Sequence, residues 1–154
     1  APAKVAAAPA PTPPPAAPQL LGLERLRWTG NERGCPAQAK GDCVSSLEIT
    51  ADGTITLDPW GAPGEGPLTS RLTPEAVERA APTLTASELL AILDHKPACS
   101  GANETESMLV SVAGKVHENA TGYCNEAPIQ AVRGVLLGLA SEHFSGHHMI
   151  SPPF

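Results

Sequence analysis

Val44-Ser-Ser-Leu-Glu-Ile-Thr-Ala-Asp-Gly-Thr-Ile-Thr-Leu57 is the stretch whose reading decides the fold. Leu47 and Ile49 are separated by a glutamate, and Ile55 and Leu57 by a threonine. This period of two marks strands with one buried face. Ala51-Asp52-Gly53-Thr54 supplies an Asp-Gly step between them, which favours positive φ and a tight hairpin. Val44–Thr50 and Thr54–Leu57 are therefore predicted to pair antiparallel.

Outward from that hairpin, Leu23-Glu-Arg-Leu-Arg-Trp-Thr29 alternates only in part but reads as a first strand. Residues 59–67 are rich in Pro and Gly and form a loop with Trp60 at its head. Leu68–Leu72 is a short candidate edge strand. Thr73-Pro74-Glu75 starts a helix, with a capping hydroxyl, a proline at the first position and a carboxylate at the positive end of the dipole. Pro82 is expected to end it. Thr85-Ala-Ser-Glu88 reads as a capping box for a second helix over Ala86–Asp94. Met108–Val112, the turn Ala113-Gly114 and Lys115–Asn119 make a second hairpin. Pro128 opens a last helix to about His143, with Ile129, Val132, Leu136, Leu139 and His143 on one stripe. Gly146 argues against its continuing.

This order predicts an α+β fold, with a small antiparallel sheet built from hairpins and two or three helices on one face. Fifteen of the first twenty residues are Ala or Pro. Proline removes backbone donors and alanine has little surface to bury, so residues 1–20 read as an extended tether rather than a core. Residues 21–144 are then one domain, and 145–154 an irregular tail.

Four cysteines, Cys35, Cys43, Cys99 and Cys124, leave three pairings open. Local pairing, Cys35 with Cys43 and Cys99 with Cys124, crosses the fewest elements and is expected. Neither spacing is the short knuckle of a structural zinc site. Disulfides place the chain in an oxidising, extracytoplasmic space: periplasmic, outer-membrane tethered or secreted. Ala1-Pro-Ala is read as a mature start after signal-peptide removal, with a lipid anchor upstream of residue 1 left open. Net charge is −6, which disfavours nucleic acid and anionic membranes as partners, and no apolar run is long enough to span a bilayer.

No nucleophile elbow, zinc-protease helix or phosphate-cradling loop is present, so no catalytic residue and no cofactor is expected. The strongest partner-binding candidate is the loop Asp58-Pro-Trp-Gly-Ala-Pro-Gly-Glu-Gly-Pro67. A rigid loop can present Trp60 as an aromatic anchor, flanked by Asp58 and Glu65. His143, His147 and His148, with Met149 next, are candidate ligands for copper or zinc. Asn103-Glu-Thr105 and Asn119-Ala-Thr121 match the glycosylation acceptor pattern and are expected to be accessible at hairpin edges.

The element order, with Ile49-Thr-Ala-Asp-Gly-Thr-Ile-Thr56, Arg71-Leu-Thr-Pro-Glu75, Val112-Ala-Gly-Lys-Val116 and a helix opening at Pro128, resembles a group of small secreted bacterial domains. It is also similar to emfourin, a bacterial protein inhibitor of thermolysin-type metalloproteases. The resemblance spans Leu23–Phe144 and transfers no inhibitory residue. It implies an exported domain and an inhibitor of metalloproteases as one function. The residues themselves point to a non-enzymatic domain that binds another protein or a cell-envelope component, with metal binding by the C-terminal histidines as a further alternative.

Overall fold

A computed structural model describes residues 22–32, 34–95, 106–122 and 125–150. The elements are β1 (Leu23–Asn31), a single 3-10 turn (Ala37–Ala39), β2 (Val44–Thr50), β3 (Thr54–Asp58), β4 (Leu68–Arg71), α1 (Pro74–Leu84), α2 (Ser87–Asp94), β5 (Glu106–Val112), β6 (Lys115–Ala120) and α3 (Ala127–His143). The six strands form one antiparallel sheet in the order β4-β3-β2-β1-β5-β6. The fold is therefore α+β, as the hairpin and helix patterns imply. No helix among the described residues is long and apolar enough to cross a membrane.

Strand register builds the core as cross-strand rows. Leu57, Leu47, Trp28 and Met108 lie opposite one another across β3, β2, β1 and β5. Ile55, Ile49, Leu26 and Val110 form the next row. All eight are at most 2% exposed and share one cluster with Val77 and Leu84 of α1, Leu89 and Leu93 of α2, and Ile129, Val132 and Leu136 of α3. Such side chains each stabilise by roughly 1.5–3 kcal/mol on burial. The partial alternation in β1 has a cause: the register shifts between Leu23 and Arg25, and this bulge changes the phase so that both Leu23 and Leu26 are buried.

The first hairpin forms as expected, and two helix expectations are corrected. The first hairpin has a three-residue loop, with Gly53 N donating to Thr50 O at 2.9 Å and Ile49 facing Ile55. Only Gly53 takes positive φ there, at 84°, so the tight hairpin expected from the Asp-Gly step closes through a left-handed glycine. α1 passes Pro82 and ends at Leu84. Pro82 and Glu78, whose carbonyl loses its helical donor, are both exposed, so water can replace that bond, and Leu84 is fully buried. Thr85 does not cap α2. Its hydroxyl donates back to Ala81 O at 2.7 Å, closing α1, and α2 starts without a side-chain cap.

The second hairpin uses Ala113 and Gly114 with φ of 51° and 78°, the paired positive values of a turn matched to strand twist. Residues 145–150 are irregular in backbone and belong to the packed body. Met149 is 3% exposed within the main core, so the described body reaches beyond residue 144.

Candidate functional site

The apolar face of the sheet runs out at one end. The row after Leu47, Trp28 and Met108 is Ser45, Gly30 and Glu106, paired across β2, β1 and β5. It has the core-facing parity but carries a hydroxyl, no side chain and a carboxylate. A cavity of about 440 Å³ opens here. Trp28, Glu32, Cys43, Trp60 and Arg133 are among its other lining residues.

Glu106 is the polar centre of this end. Its carboxylate accepts from Trp28 Nε1 at 2.9 Å, from Thr121 Oγ1 at 2.6 Å and from Arg133 Nε and Nη2 at 3.0 and 2.7 Å. Arg133 Nη2 also donates to Thr121 O at 2.6 Å. Arg133 projects from α3 one residue beyond the buried Val132, so the helix stripe places the guanidinium at the sheet end. With side-chain exposures of 25% and 12%, the pair is well shielded. Removing one partner of such a pair typically costs about 3–5 kcal/mol, because the other is left buried and charged. A carboxylate with this many donors is held as a strut and is poorly placed to take a proton from substrate.

The disulfide loop forms a second wall. Cys35 and Cys43 are bridged, with Cα atoms 5.7 Å apart, as local pairing predicts. Cys99 and Cys124 lie outside the described residues. The bridged loop is tied on both sides: Glu32 N donates to Cys43 O at 3.1 Å and Gly61 N to Asp42 O at 2.9 Å. Ala39, Cys43 and Trp60 make a small buried cluster of their own.

Trp60 is not an exposed anchor. It is 6% exposed, its Nε1 donates to Glu32 Oε2 at 3.0 Å, and its backbone N donates to His148 O at 2.7 Å. The ring folds back because an indole buries more surface against Ala39 and the disulfide than it loses by leaving water, once its N–H has a carboxylate partner. Asp58 is exposed at the end of β3. Glu65 is exposed and pairs with His147 Nε2 at 3.2 Å. These three residues therefore do not form one outward patch.

The C-terminal segment closes the third side. Ser45 Oγ donates to Met149 O at 2.6 Å, and Ile150, 45% exposed, stands at the cavity. The segment gives the three histidines separate surroundings. His143 Nδ1 donates to Leu139 O at 3.0 Å, His147 meets Glu65, and His148 is exposed. Among the described residues no group of three or more His, Cys, Asp or Glu side chains could hold a metal ion.

Elsewhere, His117 of β6 is buried, and its Nδ1 lies 2.6 Å from Asp94 at the end of α2. The pair ties helix to sheet edge, and its hydrogen bond lowers the Asp94 pKa below the usual carboxylate value. The acceptor pattern at Asn119 is only partly accessible, Asn119 being half-buried. Asn119 Nδ2 donates to His95 O at 2.9 Å, and Thr121 is fully buried. Asn103 lies outside the described residues.

Glu32, Ser45, Glu106 and Arg133 are the site residues that sequence reading passes over. For Ser45 and Glu106 the signal is parity. Ser45 sits two before Leu47, Gly30 two after Trp28 and Glu106 two before Met108, each where an apolar residue would continue the core. Beginning β5 at Met108 hides it. Among known proteins, no family model and no curated sequence matches this chain.

Proposed function

We propose that this protein is an exported, non-enzymatic binding domain, carried on an Ala/Pro-rich tether, that recognises another protein or a cell-envelope component through the cavity at the disulfide end of the sheet. The observation that carries this reading is the cavity wall. Both tryptophans of the chain line it, and their indole N–H groups are held by Glu106 and Glu32. Concave, mostly apolar walls with a few fixed polar groups are the usual form of a binding site. The non-enzymatic part rests on the same wall: the Ser45 hydroxyl donates to Met149 O, and Glu106 is saturated with donors, so neither is poised as nucleophile or base.

The Cys35–Cys43 bridge supports an oxidising compartment. The three helices are taken to cover one face of the sheet. The other face would then carry Arg25, Arg27, Glu48, Thr54 and Thr56, all exposed or half-buried, and stand in water.

A photo-crosslinking residue placed at Ile150, beside the cavity, tests the reading in the protein's own host. Val116, 56% exposed near the opposite end of the sheet, serves as control. A discrete adduct from position 150 and none from position 116 is expected. Equal labelling from both positions, or none from 150, would remove the cavity as the binding surface.

A further inference from the structure

The cavity has a charge and donor pattern that selects its ligand. We infer that it takes an organic cation, the ammonium or guanidinium head of a Lys or Arg side chain on a protein partner; this rests on the cavity being the binding site.

Most side-chain donors on its described wall are already committed, the exposed Asn31 amide at the rim being the exception. Trp28 Nε1 and Trp60 Nε1 donate to Glu106 and Glu32, Ser45 Oγ donates to Met149 O, and Arg133 donates to Glu106 and to Thr121 O. An anion or a neutral acceptor entering here would lose its water and gain at most the Asn31 amide at the rim in return. The acceptor side is different. Glu106 is neutralised by Arg133, whereas Glu32 has no ion-pair partner among the described residues. One partly buried carboxylate therefore remains uncompensated at the wall, with the indole N–H as its only described side-chain partner. Its attraction for a cation is strengthened where water is scarce.

The rings add to this. An indole that donates its N–H to a carboxylate becomes richer in π-electron density, which favours a cation against the ring. Trp28 and Trp60 are both in that state. The volume of about 440 Å³ admits one long side chain rather than a folded segment. A Lys or Arg stem can lie against Met149 and Ile150 while its head reaches Glu32.

Because the chain has two tryptophans and both line the cavity, intrinsic fluorescence reads its occupancy directly. The whole protein is titrated with N-acetyl-lysine methylamide, N-acetyl-arginine methylamide, choline, 3,3-dimethylbutanol as the neutral isostere of choline, and acetate, against sodium chloride at equal ionic strength. The lysine or arginine probe is expected to give a saturable emission shift, at least ten-fold tighter than the neutral isostere. Glu32→Gln keeps an acceptor for Trp60 Nε1 and removes the charge. It should weaken that probe about ten-fold while leaving the melting temperature within a few degrees. Equal binding of the neutral isostere, or unchanged affinity in Glu32→Gln, overturns the cation assignment and leaves the cavity standing as an apolar site. Tighter binding of choline than of both amino-acid probes overturns the side-chain source. Saturation by none of the five overturns the cavity as a binding site altogether.

Discussion

The indole of Trp28 lies over Gly30. A methyl group built on Gly30 would stand 2.5 Å from Cη2 and 2.9 Å from Cζ2 of that ring. Two residues apart on one strand, they share a face, and the missing side chain of one is the space filled by the other. The ring is 2% exposed and fixed at its other end by Glu106, so it can move only by giving up that bond.

Gly30→Ala is therefore expected to push Trp28 out of place, loosen its bond to Glu106 and destabilise the fold by about 2–3 kcal/mol. Urea denaturation measures the loss, and near-ultraviolet dichroism should report the moved indole. A variant as stable as the parent, with an unchanged indole signal, would mean that the ring can shift freely.

The nine-residue loop closed by Cys35 and Cys43 supports Trp60 through Asp42 O and Gly61 N. Replacing both cysteines by alanine should cost about 2–3 kcal/mol in the chain-entropy account. It should also shift Trp60 emission toward that of a wetter indole. Lost stability with an unaltered spectrum would separate the bridge from the cavity wall.

Gly134 and Gly138 are exposed in the middle of α3, and a Cβ at either would meet no atom within 4 Å. Alanine at each should stabilise the helix by up to about 1 kcal/mol, since glycine gives up more backbone freedom on folding. The two gains should add in thermal unfolding. A loss at either position would reveal that this surface is covered in solution.

Asp52 has its pKa lowered from 3.8 to about 2, first by the Thr50 hydroxyl and then by the Thr54 backbone N–H. A carboxyl depressed in the folded state contributes stability above its unfolded pKa and loses it as pH falls through the folded value. The contribution is thus complete above about pH 4 and lost between pH 4 and 2. Asp52→Asn should flatten the acid limb of stability in that window and leave neutral pH dependence unchanged. Asp94, lowered through its bond to His117, adds to the same limb with the same sign.

Much of the plan is written in local patterns. Val44–Thr50 and Leu68–Arg71 follow from alternation and turn residues, and α3 from its spacing of Ile129, Val132, Leu136 and Leu139. Local signals misled where one group had two uses. Thr85 can start a helix or finish one, and its hydroxyl found Ala81 O first. Pro82 breaks a helix only where its lost bond is not open to water. Trp60 heads a loop that looks built for display, yet Glu32, twenty-eight residues earlier, offers its N–H a partner and draws it inward.

Alternation and helix spacing, which depend on neighbours two to four positions away, determined that this chain makes hairpins, an amphipathic last helix and an Ala/Pro segment unsuited to a core. The tertiary structure alone decided that β1 lies between β2 and β5. It thereby brought Trp28 within hydrogen-bond reach of Glu106, seventy-eight residues away. The cavity belongs to that second kind of information. It exists because strands far apart in sequence align a row, Ser45, Gly30 and Glu106, in which the apolar face is interrupted, and no local period records which strands will be neighbours.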